Sequence, residues 1–186
     1  PKGPEITSST AGRIVQDDEG ETPDVHTAQY TFKDFILTFE MTNYPRYMQK
    51  TTTTIRRNDE FPYWTQNATR VEIYGSELMM TIGRHGGGWQ VVTSGGKVVD
   101  QMYGRVPDAP HYKDFLECVK SRKRPNADIR IVHNSLSTII LATIAHRVGN
   151  RTVNFDWDKE QFINDKEASK FMTEQGRGEY KLSEKV

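Results

Sequence analysis

An α+β fold, with a large, mainly antiparallel, open-faced sheet and helices packed on one face, is predicted by three observations on this 186-residue sequence. Apolar residues alternate with period two through much of residues 25–102, and short local turns join these runs. The apolar spacing changes to three and four only after residue 107. Local turns connect antiparallel neighbours, because parallel strands need crossovers of about a dozen residues or more. Strands first and helices afterwards gather the helices on one side of the sheet.

The elements follow in order. Residues 1–24 are rich in Pro, Gly, Ser, Thr and acids, and read as an irregular lead-in with a short strand candidate at Arg13–Gln16. In HTAQYTFKDFILTFEMTN, Ala28, Tyr30 and Phe32 share a face, and Leu37, Phe39 and Met41 alternate with Ile36, Thr38 and Glu40. Lys33-Asp34 is the turn of this hairpin. The threonine-rich YPRYMQKTTTTIRR is expected to continue the sheet, since β-branched residues favour strands. Residues 58–67 form an excursion carrying Phe61, Tyr63 and Trp64. Two further hairpins follow, TRVEIYG with LMMTIG around Gly75-Ser76-Glu77, and WQVVTS with KVVDQM around Gly95-Gly96.

The first long helix is DAPHYKDFLECVKSRKRP, with Tyr112, Phe115, Leu116 and Val119 on one stripe, Pro110 in its first turn and Pro125 at its stop. A second, about Ile129 to Val148, ends at Gly149; its middle, STIILATIA, is apolar nearly all round and is expected to be the most buried element. RTVNFDW reads as a strand. A short helix from about Asp165 to Gln175 starts with Asn164 and Glu167 in capping-box spacing.

Composition narrows function. The length suits one domain, 1–186, with a sizeable core. Twenty-five basic and 25 acidic residues cancel, so no net field draws the chain to nucleic acid or an anionic membrane. No apolar run approaches the roughly 20 residues that span a bilayer. Cys118 is the single cysteine, which excludes an internal disulfide framework and cysteine-rich metal sites, and the five histidines never form H-E-x-x-H. No metal site is expected. One thiol is compatible with a reducing compartment, and the reading leans to a cytoplasmic over an exported protein.

His85-Gly86-Gly87-Gly88 has the composition of a loop that lends N–H groups to an esterase oxyanion hole. No G-x-S-x-G supplies a nucleophile, and the run lies between two strand-like segments, so it reads as a turn. G-x-G-x-x-G and the P-loop pattern are absent. The basic cluster Lys120, Arg122, Lys123 and Arg124 sits at a helix C-terminus, where cations complement the helix dipole. The acidic group Asp17, Asp18, Glu19, Glu21 and Asp24 suits a solvated loop, or a surface facing a cation or sugar hydroxyls. Tyr63 and Trp64 with Arg56, Arg57 and Arg84 suit either a polyol-binding surface or packing.

The run HYKDFLECVKSRKRPNADIRIVHNSLSTIILATIAHRVGN (111–150) resembles the C-terminal domain of the Gfo/Idh/MocA oxidoreductases, whose members often read H-x-x-x-F-L-x-C-V-x-S-R-K-x-P-N-A-D there. The likeness extends to AGRIVQDDEGETPDVHTAQYTFKDFILTFEM (11–41), VEIYGSELMMTI (71–82) and INDKEASKFM (163–172). It implies a dihydrodipicolinate-reductase-like second domain that shapes a substrate pocket and carries the oligomer interface. The family's N-terminal Rossmann domain for NAD or NADP is absent from this chain, as are its Glu-Lys-Pro and Asp-x-x-x-His motifs. His111-Tyr112-Lys113-Asp114 mimics part of the latter, but position 107 is proline and His111 takes no catalytic role.

The resemblance therefore implies a substrate-binding and oligomerisation domain of an NAD(P)-dependent oxidoreductase acting on a sugar, cyclitol or derivative. The isolated chain would bind no nicotinamide and hold no catalytic residue. Asp24, Tyr63, Trp64, Arg84 and His85 are the substrate-facing candidates. A non-enzymatic self-associating or carbohydrate-binding module is the alternative; an upstream reading frame continuous with Pro1 and encoding G-x-G-x-x-G would support the oxidoreductase, and a start codon before Pro1 the module. Homo-oligomerisation is expected through the open sheet face, because Tyr30, Phe32, Phe35, Leu37, Phe39 and Met41 place large side chains on both faces of the first hairpin.

Overall fold

The structure, a computed structural model, describes residues 2–173. It is α+β with two antiparallel sheets, and the chain divides into two compact units. One comprises residues up to Tyr44 and from Ala127 onward; the other is Pro45–Asn126.

In the first unit, β1 (Ile6–Gly12), β2 (Val25–Thr31), β3 (Ile36–Thr42), β8 (Val153–Asp156) and β9 (Gln161–Phe162) form a five-stranded sheet ordered β3-β2-β1-β8-β9. The Lys33-Asp34 turn is as expected, closed by Phe32 N–H donating to the Phe35 carbonyl over 3.0 Å. Helix α3 (Ile129–Arg147) lies against this sheet, capped by the Asp128 side chain on Arg130 N–H. Leu141, Ile144, Ala145 and Val148 are buried with Val153, Phe162 and Ala168. Ala142 closes on Ala28 and Tyr30. Alanine there lets the helix backbone approach the sheet closely.

The second unit holds helix α1 (Thr53–Arg57), the four-stranded sheet β4 (Arg70–Tyr74), β5 (Leu78–Gly83), β6 (Trp89–Thr93) and β7 (Val98–Met102), and helix α2 (Asp108–Ser121). Strands pair in sequence order, as two-residue and glycine turns dictate, with one irregularity at Val91/Val92.

Five local expectations change. The strand candidate Arg13–Gln16 is a loop, and the strand lies upstream in β1, because Asp24 captures the amides of residues 14–16. The threonine run makes α1 instead of a strand: Thr52 accepts a hydrogen bond from Ile55 N–H and nucleates a helical turn. Helix α4 is Lys166–Ser169, capped by Asp165 instead of Asn164, whose φ of 55° is left-handed; the expected end at Gln175 lies outside the described residues. α3 buries only one face, leaving Ile129, Ile131, Leu136, Ile139 and Ile140 exposed. No residue of α2 is buried, so its Tyr112, Phe115, Leu116, Val119 stripe is exposed.

Register also corrects the expectation of large side chains on both faces of the first hairpin. Residues opposite one another in a sheet share a face. Tyr30 pairs with Leu37, Ala28 with Phe39 and His26 with Met41, so all of these lie on the α3 side. The other face carries Ser8, Thr10, Thr27, Gln29, Thr38 and Glu40, with Ile6 and Ile36 at one end and Val25 at the other. It is polar along its middle.

Candidate functional site

The residues around the β5–β6 turn define the site. Gly83 N–H donates to the Gly88 carbonyl at 2.8 Å and Gly87 N–H to the Gly83 carbonyl at 3.3 Å, closing the loop. His85, Gly86 and Gly88 have φ of 55°, 78° and 73°. A Cβ at Gly86 would overlap the Arg105 carbonyl, and one at Gly88 the Met102 carbonyl. The glycines therefore admit the chain's own backbone from residues 102–105. That space is filled, so the run cradles neither an oxyanion nor a phosphate.

The excursion before β4 leans on this turn. Trp64 opens a 3-10 turn, Trp64–Gln66, and its ring lies over Gly83, where even a methyl group would crowd it. Its Nε1 donates to Gln90 Oε1 at 2.8 Å, and Gln90 Nε2 donates to Gln101 Oε1 at 3.0 Å. Phe61 lies between Trp64 and Tyr103, its ring centroid 6.0 and 4.7 Å from theirs. Thr51 Oγ1 donates to the Arg84 carbonyl at 3.0 Å, and Arg84 N–H to the Thr69 carbonyl at 3.2 Å. Arg56 runs beside Gly86, and its Nε is a buried donor with no protein partner.

Four predicted residues, Tyr63, Trp64, Arg84 and His85, thus come together at one end of the β4–β7 sheet. Tyr63 is 71% exposed, His85 is exposed, and Trp64 is half-buried. Arg57 ends α1 and is exposed. Asp24 belongs to the other unit and has a different occupation. It is fully buried, and its carboxylate accepts Ile14, Val15 and Gln16 N–H, each at 2.7 Å. Burial pushes this carboxyl up, but those amides outweigh it and hold it below the usual carboxylate range.

Gln90 and Gln101 were not recognised from sequence. Their signal was weak: two amides at outward positions of strands otherwise rich in valine. Register explains their meeting. Glu72, Thr81, Gln90 and Gln101 form one row across the four strands, on the face that Trp64 covers. Arg70 Nε at 2.8 Å and the Tyr74 hydroxyl at 2.7 Å hold the Glu72 carboxyl below its ordinary range. The opposite face is mostly apolar: Val71, Ile82, Trp89 and Met102 form one row, and Ile73, Met80 and Val91 the next, which ends at the exposed Asp100 on β7. Val71 and Ile73 are each 50% exposed and Met102 55%.

A family model for the oxidoreductase family, C-terminal alpha/beta domain, GFO_IDH_MocA_C2, matches residues 75–182, more than half of the chain. The chain belongs to the Gfo/Idh/MocA oxidoreductase family. The match is to the C-terminal domain of that family, as the 111–150 run implied. Among solved structures, the Bacillus subtilis protein yvaA, provisionally named an oxidoreductase, aligns with a TM-score of 0.52 at 11% identity, covering 83% of this chain and 46% of that one. A provisionally named oxidoreductase from Bacteroides fragilis NCTC 9343 aligns at 13% identity and a TM-score of 0.49, with the same coverages. At such identity the first shows the fold alone. The Gfo/Idh/MocA chain described here spans less than half the length of either structure. No curated protein matches it in sequence.

The described residues of this Gfo/Idh/MocA domain do not fit a dinucleotide. Every strand pair within its two sheets is antiparallel, so no parallel βαβ unit presents a helix N-terminus to a pyrophosphate, and the glycine turn is filled by backbone. No step of hydride transfer is assigned to them. Among the same residues, no three His, Cys, Asp or Glu side chains cluster to hold a metal, and no helix is long and apolar enough to cross a membrane.

Proposed function

We propose that the chain is the substrate-facing and self-associating domain of an NAD(P)-dependent oxidoreductase acting on a sugar, cyclitol or derivative. The Trp64–Gln90–Gln101 chain of hydrogen bonds, with the exposed Tyr63 next to Trp64 in the chain, is the observation that supports this reading. A polyol presents alternating hydroxyls and an apolar C–H face. Amides that both donate and accept match the former, and an aromatic ring matches the latter. Arg84 and His85, both exposed, add donors at the same turn. NAD or NADP would be held by a different domain of the whole protein.

The apolar face of the β4–β7 sheet supports self-association. An apolar surface with Val71, Ile73 and Met102 exposed and Ile82 and Trp89 half-buried between them is costly to leave in water. A second copy on this face would bury an interface of at least roughly 1,000 Å².

Titration of the chain with cyclitols and aldoses, followed by tryptophan fluorescence, tests the site. Saturation in the millimolar range is expected, with its loss in Trp64→Ala and its weakening in Gln101→Ala. No saturable response to any polyol that the whole enzyme oxidises would sink the substrate reading. Micromolar NAD(H) or NADP(H) binding by this chain in calorimetry would overturn the division of labour.

A further inference from the structure

β3 is the outermost strand of the five-stranded sheet, and all its residues except Met41 are exposed. Hydrogen bonds at its ends establish which backbone groups point outward. Phe32 N–H donates to the Phe35 carbonyl at 3.0 Å, and Asn43 N–H to the Asp24 carbonyl at 2.9 Å. Bonded and unbonded pairs alternate along an antiparallel ladder. Tyr30–Leu37, Ala28–Phe39 and His26–Met41 are therefore the bonded pairs. The N–H and C=O groups of Ile36, Thr38, Glu40 and Thr42 face away from the sheet.

Edges of this kind are normally blunted by proline, lysine, a bulge or a covering segment. On the free side of β1, the Asn150 amide does this: it accepts from Ala11 N–H at 3.0 Å and donates to the Ala11 carbonyl at 3.4 Å. Among the described residues of its own unit, β3 has no such device. It contains no proline and no basic residue, and pairs with β2 at all seven positions without a bulge.

We propose that β3 pairs antiparallel with β3 of a second copy of this chain, about a two-fold axis at Phe39, making one ten-stranded sheet from two five-stranded ones. Bonding requires outward-pointing residues to lie opposite one another, which places the axis at a residue and not between two; Thr38, Phe39 and Glu40 keep most of the strand overlapped. An axis at Glu40 opposes two carboxylates. An axis at Thr38 runs Met41 and Thr42 past the end of the other strand. The axis at Phe39 overlaps the whole strand, with two bonds in each of four pairs: Ile36 with Thr42, Thr38 with Glu40, and their symmetry equivalents.

Side chains agree with this register. Phe39 meets Phe39 of the second copy in the close, unbonded pairing, and Leu37 meets Met41, extending the apolar row on the α3 side. On the polar face the Thr38 hydroxyl stands opposite the Glu40 carboxylate, a donor against an acceptor. The strand is complementary to itself in backbone bonds and in its apolar row. β3 and the β4–β7 sheet belong to different units and share no residue, so substitutions test the two interfaces one at a time.

The test uses the full chain with Cys118→Ser as background. Phe39→Cys should cross-link to a disulfide dimer on mild oxidation, whereas Thr38→Cys, opposite Glu40, should not. Thr38→Pro removes an N–H that points outward and leaves the β2 ladder whole. It should retain the wild-type circular dichroism, and sedimentation at micromolar concentration should show pairing weakened about thirtyfold for the two bonds lost. Ile73→Asp, on the other face, should leave the Phe39→Cys cross-link in place. A Phe39→Cys chain that fails to cross-link, or a Thr38→Pro chain that sediments like the wild type, overturns the proposal.

Discussion

Arg151 and Asp165 meet in a two-pronged ion pair, Nη1 to Oδ2 at 2.6 Å and Nη2 to Oδ1 at 2.9 Å. It ties the loop after α3 to the start of α4, where Asp165 also accepts Ala168 N–H at 3.0 Å. The Arg151 guanidinium, then the Ala168 amide, pull the Asp165 carboxyl down to about 2. Arg151 is itself shifted upward by Asp165, and Glu167 adds a third contact at 3.2 Å.

A pH dependence follows from that shift. The folded-state pKa of Asp165 lies below its unfolded value, so its contribution is complete above about pH 4 and is lost as pH falls toward 2. Denaturant midpoints measured from pH 5 to pH 2 should fall more steeply for the wild type than for Asp165→Asn. Parallel curves would show that the pair does not couple to folding.

Asp24→Ala should release the loop that follows β1. Three amides lose a charged acceptor, and hydrogen exchange at Ile14, Val15 and Gln16 should accelerate by at least about tenfold. Exchange at Ala142 and Ala145 in α3 should change far less. Unchanged protection at all three loop amides would contradict the role given to Asp24.

The two faces of α3 should respond differently to truncation. Ile144 is 4% exposed within the core, so Ile144→Ala should cost about 2–5 kcal/mol. Ile139, on the same helix, is exposed, and Ile139→Ala should stay within about 0.5 kcal/mol. Chemical denaturation of both variants checks this. Equal losses would mean that something covers the outer stripe in solution.

Close backbone approach at the β5–β6 turn predicts a third contrast. A Cβ at Gly104 would overlap the Gly86 carbonyl, so Gly104→Ala should destabilise the chain by about 1–3 kcal/mol. At Gly95 the nearest heavy atom to a Cβ is Thr93 Oγ1 at 3.9 Å, and Gly95→Ala should be neutral within about 0.5 kcal/mol. Thermal melts of the pair decide it.

Much of the architecture was written locally. Alternation in residues 25–42, 70–83 and 89–102 sets the hairpins, and Pro110 and Gly149 mark a start and an end of the two long helices, because turn and helix-end chemistry acts within a few residues. The first long helix stops at Ser121, before Pro125, where Arg122 turns left-handed at φ 57°. The glycine turn at 83–88 was legible for the same reason. Tertiary structure alone decided the rest. Arg13–Gln16 became a loop because a carboxylate eight to ten residues away took its amides, and that capture exists only once β1 and β2 have paired. Trp64, Gln90 and Gln101 joined because β6 and β7 paired in one register and the excursion folded onto that face. Alternation names two faces of a strand without saying which one a helix will cover. α3 took the side of Ala28 and Tyr30, and so left the polar row outward, since only there does Ala142 close against the sheet.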